Sequence, residues 1–202
     1  MRAIIICHPV PKDVKRLIKI EDDDFLVAVD QAVADCYKQR INIDLAVGDF
    51  DSLKNEGLLK KLKVLRLNPV KDVTDTYQAL IEAKKKDPDD IIMIGGIGGS
   101  RIEHFVAHLM FFNEFPELVI KDENSTIRLL SEGSYKIKND ERFISLFAYP
   151  IAKLSLTDFK YDLDRYLLKT YDPLCISNEI IKEEAILTVH EGKVVMIQSL
   201  KK

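Results

Sequence analysis

The stretch LAVGDFDSL, residues 45–53, sets two carboxylates one residue apart directly behind a short apolar run. An extended segment turns side chains i and i+2 to the same side, so Asp49 and Asp51 are expected roughly 6.5 Å apart at the carboxyl end of a buried strand. That end is where open α/β sheets hold ligands. Like charges so placed repel unless a cation lies between them, and a hard divalent ion such as Mg²⁺, shared with substrate phosphates, is the usual partner. A second reading stays open: Asp49 caps a helix beginning near Ser52 and Asp51 is merely solvated, since aspartate is common in turns.

Outward from this stretch, the runs Ala3–Cys7, Phe25–Val29, Leu45–Val47, Val64–Leu67 and Ile91–Ile94 are rich in Ile, Val and Leu without strict alternation, as strands covered on both faces should be. Helical patterns separate them. TDTYQALIEAKKK (74–86) spaces Tyr77, Leu80 and Ile81 on one face and ends in lysines that suit a helix C-terminus. IEHFVAHLMFF (102–112) is a second apolar-faced helix, and Pro116 marks its end. Such alternation predicts an α/β N-terminal domain, residues 1–122, with a mostly parallel sheet flanked by helices. From about Asp122 the pattern changes to TIRLLSEG, YKIKN, RFISLFAYP, KLSLTDF, EAILTVHEG and KVVMIQS, all strand-like. Residues 123–202 are therefore expected to form an antiparallel β-sandwich domain, with His190-Glu191-Gly192-Lys193 as a hairpin turn. A unit of that size has a marginal core by itself, so it is expected to pack on the first domain or on a second subunit.

Composition excludes several classes. A formal charge of −3 over 202 residues offers no basic face for nucleic acid. No run approaches the ~20 apolar residues of a membrane span, and the N-terminal apolar run is too short for a signal peptide. Cys7, Cys36 and Cys175 are few, odd in number and set in apolar segments, which fits buried thiols of a reducing compartment. The expectation is a cytoplasmic, soluble protein.

Two further segments add chemistry. In NPVKDVTDTYQAL (68–80), Asp72 or Thr74 serves as the helix N-cap; alternatively the helix N-terminus and the Thr74 hydroxyl meet phosphate oxygens while Asp75 gives another oxygen to the metal. IIMIGGIGGSRIEHFVAHL (91–109) is a strand, four glycines, then a helix bearing Arg101, Glu103, His104 and His108. Glycines at a strand-to-helix turn let backbone N–H groups approach phosphate, and Arg101 can grip it with a planar fork. The spacing fits neither the dinucleotide nor the Walker template. His104 and His108 share a helix face as half of a zinc site, but no H-E-x-x-H surrounds them and the cysteines are scattered. The weight lies in the conjunction: three strand ends, successive along the chain, carry acid pair, Thr-Asp and glycine-arginine turn.

In that conjunction the sequence resembles the thiamin pyrophosphokinase family, whose pattern runs G-D-x-D-S, then T-D at a helix start, then G-x-x-G-G-R-x-D-H. Here those positions are Gly48 to Ser52, Thr74-Asp75, and Gly96 to His104. VAVDQAVAD also looks like the family's strand ending in A-D-G-G-A, with Asp30 retained. The resemblance implies a pyrophosphoryl transfer from ATP to the hydroxyl of thiamin, giving thiamin diphosphate and AMP. It implies Mg²⁺ on Asp49, Asp51 and Asp75; ATP on Asp30, Ser52, Thr74, Gly98, Gly99 and Arg101; and Arg101, Glu103 and His104 beside the reacting groups. In the second half FISLFAY, DFKYDL and ISNE resemble segments carrying Ser145, Tyr161, Ser177 and Asn178, which imply a thiamin pocket where subunits of a homodimer meet. From the residues alone, these four are ordinary turn, strand and partly buried positions. The sequence departs from the pattern at Gln31-Ala32, Ser100, Glu103 and His108, which stand for paired glycines, a glycine, an aspartate and an asparagine.

Other readings weighed are a pyrophosphokinase for another hydroxyalkyl acceptor such as a hydroxymethyl pterin, and a nucleotide-binding sensor without catalysis. A glycosyltransferase using its D-x-D pair, or a phosphatase with an aspartate nucleophile, would leave Thr74-Asp75 and Arg101 unexplained.

Overall fold

All five apolar runs of the N-terminal half form strands of one parallel sheet: β1 (Arg2–Cys7), β2 (Phe25–Val29), β3 (Leu45–Gly48), β4 (Val64–Arg66) and β5 (Asp90–Gly95). A sixth strand, β6 (Leu118–Lys121), escapes the sequence reading because it is only four residues long and follows Pro116 closely. The computed structural model describes residues 1–68 and 73–201, so Asp72, one of the two cap candidates, lies outside the described residues. These divide into two units, Met1–Glu123 and Asn124–Lys202.

In the first unit the strand order is β6-β5-β1-β2-β3-β4. The chain steps outward from β1 to β4 on one side and then returns to lay β5 and β6 on the other. The crevice between the carboxyl ends of β1 and β5 is therefore a topological switch point, the usual place for a ligand on such a sheet. Helices α1 (Val14–Leu17) and α2 (Ala32–Lys38) cover one face: Val14, Ala32, Val33 and Cys36 pack with Ile4, Ile6, Leu26, Ala28 and Ala46. Ile5 and Val27 point the opposite way, and α3 (Asp75–Lys84) packs on β1, β2 and β3, burying Ala79, Leu80 and Ala83. Burial on both faces is why these strands carry apolar runs and no alternation. Helix α4 (Ile102–Met110) follows β5 and passes into a short 3-10 turn at Phe111–Asn113, three residues before Pro116.

The second unit is antiparallel throughout: β7 (Ser125–Leu130), β8 (Gly133–Lys138), β9 (Arg142–Thr157), β10 (Leu163–Lys169) and β11 (Glu184–Leu200). Here the expected hairpin at 190–193 is corrected. EAILTVHEG and KVVMIQS are one strand, β11, which pairs with β9 along its length, with β8 over Glu184–Val189 and with β7 over Val194–Ser199. The register slips between Val189 and Glu191 and again between Gly192 and Val194, so the glycine belongs to bulges and not to a turn. Gly192 has φ of 79°, and a Cβ there would run into the Ile151 carbonyl oxygen. RFISLFAYP and KLSLTDF likewise join into β9. The core joins Leu146, Leu154 and Leu156 of β9 to Leu187, Val189 and Met196 of β11 and to Leu168 of β10.

Candidate active site

The acid pair does not sit on an extended segment. Strand β3 stops at Gly48, and Phe50 has φ of 64°, a left-handed turn that a bulky side chain adopts only when its surroundings hold it there. Its ring is 1% exposed and packs in the core with Leu53 and Leu59. Arg66, from the end of β4, secures the turn from outside: its guanidinium lies 5.3 Å from the Phe50 ring centroid and donates to the Asp49 carbonyl at 3.0 Å. Within the turn the Asp51 N–H donates to Asp49 Oδ1 at 3.3 Å and the Ser52 hydroxyl to Asp51 Oδ1 at 2.9 Å. No helix begins at Ser52, so the capping alternative for Asp49 falls away. Burying Phe50 is what throws both acids to the outside.

The turn brings Asp49 and Asp51 to Asp30 at the end of β2, and oxygens of the three lie within 4.8 Å of one another. Asp75, expected as the third member, is not in this cluster; it starts α3 and lines the adjacent cleft. Asp30 takes that place because β2 is the sheet neighbour of β3: its N–H donates to the Val47 carbonyl at 2.9 Å. Burial holds the Asp30 carboxyl above the usual range, opposed by the Gln31 N–H and reinforced by the charges of Asp49, Asp75 and Asp51. Its Oδ1 is buried without a hydrogen-bond partner among the described residues. Three convergent carboxylates, one with an orphaned oxygen, fit a hard divalent cation that keeps some of its own water.

Beside the cluster a cleft of about 270 Å³ opens at the switch point. Its wall includes Asp30, Ser52, Thr74, Asp75, Gly98, Gly99, Arg101 and His104 of the expected set. Thr74 is the N-cap of α3, its Oγ1 accepting from the Tyr77 N–H at 3.2 Å, which leaves the hydroxyl proton to donate elsewhere. Gly98, Gly99 and Ser100 line the cleft, and among the described residues their N–H groups have no protein acceptor, so the glycine turn keeps donors in reserve for a ligand there. Arg101 stands at the N-cap of α4 and pairs with Glu103 at 3.1 Å. Glu103 is exposed and off the cleft wall, its carboxyl lowered first by its own backbone N–H and then by Arg101.

His8, Pro9 and Gln31 also line this cleft and were not singled out from the sequence as candidates for it. The available signal was position: His8 and Pro9 directly follow the first apolar run and Gln31 follows the second strand's Asp30. His8 Nδ1 lies 3.4 Å from Asp35 of α2. Cys7 is an inert part of the wall, burial pushing its thiol up to about 12.

In the second unit the four acceptor-site candidates come together in two pairs. Ser145, buried on β9, accepts from the Ser177 N–H at 3.0 Å. Asn178, also buried, accepts from the Tyr161 N–H at 3.1 Å and donates to the Tyr161 carbonyl at 2.8 Å. Ser145 and Asn178 thus spend hydrogen bonds on holding backbone, while the Tyr161 ring is 62% exposed with the Lys160 ammonium 5.7 Å from its centroid.

With this geometry in hand, relatives are informative. The thiamin pyrophosphokinase catalytic domain matches residues 17–122, and the thiamin pyrophosphokinase vitamin B1 binding domain matches residues 134–194. Thiamine pyrophosphokinase of Bacillus subtilis (strain 168) is 34% identical over 169 residues, which span 76% of this chain and 77% of that protein. The crystal structure of thiamine pyrophosphokinase from Bacillus subtilis superposes with a TM-score of 0.89 at 27% identity, covering 100% of both chains. That of thiamin pyrophosphokinase from Geobacillus thermodenitrificans gives 0.87 at 26% identity, covering 100% of this chain and 99% of that one. The acid turn, the Thr-Asp helix start and the glycine-arginine turn are thus set in the matching sequence and fold, and the chain belongs to the thiamin pyrophosphokinase family.

Proposed function

We propose that this chain transfers a pyrophosphoryl group from ATP to the hydroxyl of thiamin, giving thiamin diphosphate and AMP. The observation that carries the reading is the adjacency of three converging carboxylates to a cleft lined by Gly98, Gly99 and Ser100, whose N–H groups have no protein acceptor among the described residues. Such donors suit the oxygens of a triphosphate.

Asp30, Asp49 and Asp51 would hold Mg²⁺, with Asp75 facing the same cleft. When bound, that ion neutralises charge on the phosphates as the transferred group separates from its leaving oxygen. The remaining work falls to the protein. Gly98, Gly99, Ser100 and Thr74 donate to phosphate oxygens, and Arg101, released from Glu103, offsets the developing charge. The thiamin hydroxyl attacks the β-phosphorus, the bond to the α-phosphate's bridging oxygen breaks, and AMP carries that oxygen away. His104, an imidazole at the cleft wall, is placed to receive the hydroxyl proton. Glu103 acts on this reading through Arg101.

The second unit, read as a β-sandwich, would supply the acceptor pocket. The exposed Tyr161 ring offers a face to the cationic thiazolium, and Ser177 offers a hydroxyl, both held by Asn178 and Ser145. A homodimer with thiamin bound where subunits meet belongs to the same proposal, supported by exposed Tyr161, Leu174, Ile176 and Ile181. So does a cytoplasmic location, supported by three buried free cysteines. Among the described residues no helix is long and apolar enough to cross a membrane.

Incubation with ATP, Mg²⁺ and thiamin is expected to release AMP. AMP appearing only with a hydroxymethyl pterin would move the acceptor and keep the chemistry, and nucleotide binding without any AMP would point to a sensor.

A further inference from the structure

The glycine turn between β5 and α4 has an internal anchor. Gly96 is held on both sides: its N–H donates to the Pro9 carbonyl at 3.2 Å, and its own carbonyl is 3.0 Å from Nδ1 of His108. A carbonyl can only accept, so Nδ1 carries the proton and Nε2 the lone pair. His108 is 4% exposed, and burial, the largest influence on it, lowers its pKa and so favours the neutral imidazole. There is no slack in this contact. Gly96 has φ of 69°, and a Cβ there would lie 2.9 Å from His108 Cε1. Beyond the ring, Phe111 follows with its centroid at 5.6 Å, and Tyr77 of α3 lies 5.9 Å from Phe111. The turn is thereby keyed through one imidazole to α4 and α3.

We propose that His108 is a positioning residue for phosphate binding: its Nδ1–H, by fixing the Gly96 carbonyl, holds the turn so that the N–H groups of Gly98, Gly99 and Ser100 stand ready at the cleft wall before nucleotide arrives. This rests on the reading of the cleft as the ATP site. His108 acts through Gly96, so its loss is felt by the nucleotide and not by the acceptor. Preorganised donors bind phosphate without the entropic cost of ordering a glycine-rich loop. His108→Phe retains an aromatic ring and removes the donor, leaving the buried Gly96 carbonyl without its partner. His108→Asn is shorter and keeps an N–H.

The test uses the full chain and Mg²⁺ with a nonhydrolysable ATP analogue, followed by steady-state kinetics with thiamin. His108→Phe is expected to raise the Kd for the analogue and the KM for ATP about tenfold, the size of one lost buried hydrogen bond. The KM for thiamin should stay within about twofold of wild type, and His108→Asn should recover nucleotide affinity to within about threefold. If His108→Phe does not fold, His108→Asn carries the test alone, and loss of nucleotide affinity in a folded His108→Asn overturns the proposal. Wild-type affinity in His108→Phe, or KM values that rise equally for both substrates, also overturns it and leaves the cleft reading standing. Wild type that binds no nucleotide overturns both.

Discussion

At the scale of single residues, Asp30 is where structure and chemistry meet most sharply. A carboxyl raised above its unfolded value binds more protons in the native state, so stability falls as pH rises from the ordinary aspartate range through the raised native value, and the full penalty persists above it. Asp30→Asn removes that penalty. Without metal it should melt a few degrees higher than wild type at pH 7, the gain shrinking toward pH 4 and also on saturation of wild type with Mg²⁺; thermal melts across pH check it, and a gain independent of pH would refute the assigned cause. Asp51→Asn should weaken Mg²⁺-dependent nucleotide binding at least about tenfold with little change in melting temperature. Parallel loss of both would mean that Asp51 serves the turn's hydrogen bonds first. The acid pair, Thr74, Asp75 and the glycine-arginine turn were legible in the sequence because each couples a residue type to a strand or helix end. Asp30's place as the third carboxylate was not, since that depends on β2 being the spatial neighbour of β3.

At the scale of elements, the same cause explains what was missed. The three informative strand ends succeed one another in sequence, but β1 and β2 lie between β5 and β3 in the sheet, so His8 and Gln31 enter the cleft unannounced by any motif. Strand existence in the first unit was legible from apolar runs, because burial on both faces leaves a strong signal. The second unit was harder: a bulge glycine and a hairpin glycine look alike in one sequence, and β10 alternates weakly. Two substitutions probe these elements. Phe50→Ala should cost ~3–5 kcal/mol as a core truncation and also weaken Mg²⁺-dependent nucleotide binding, because the ring fixes the turn bearing both acids. Chemical denaturation and analogue binding on the same samples check it; lost stability with unaltered binding would uncouple the two. Gly192→Ala should cost about 1–3 kcal/mol by forcing a side chain onto the Ile151 carbonyl, and an unchanged denaturation midpoint would contradict the bulge assignment.

At the scale of the molecule, the two halves differ in what they offer a ligand. A parallel sheet gathers anionic and donor groups at its switch point, and an antiparallel unit presents an exposed aromatic whose backbone is hydrogen-bonded by Asn178. The central claim is that the first of these sites places the β-phosphorus of ATP, rather than the γ-phosphorus, under attack, with a metal on the carboxylates. The most direct measurement is the product ratio in a quenched reaction of pure protein with ATP, Mg²⁺ and thiamin. AMP and thiamin diphosphate formed in equal amounts, and abolished by EDTA, is the predicted result; ADP with thiamin monophosphate, or AMP formation indifferent to EDTA, would contradict it.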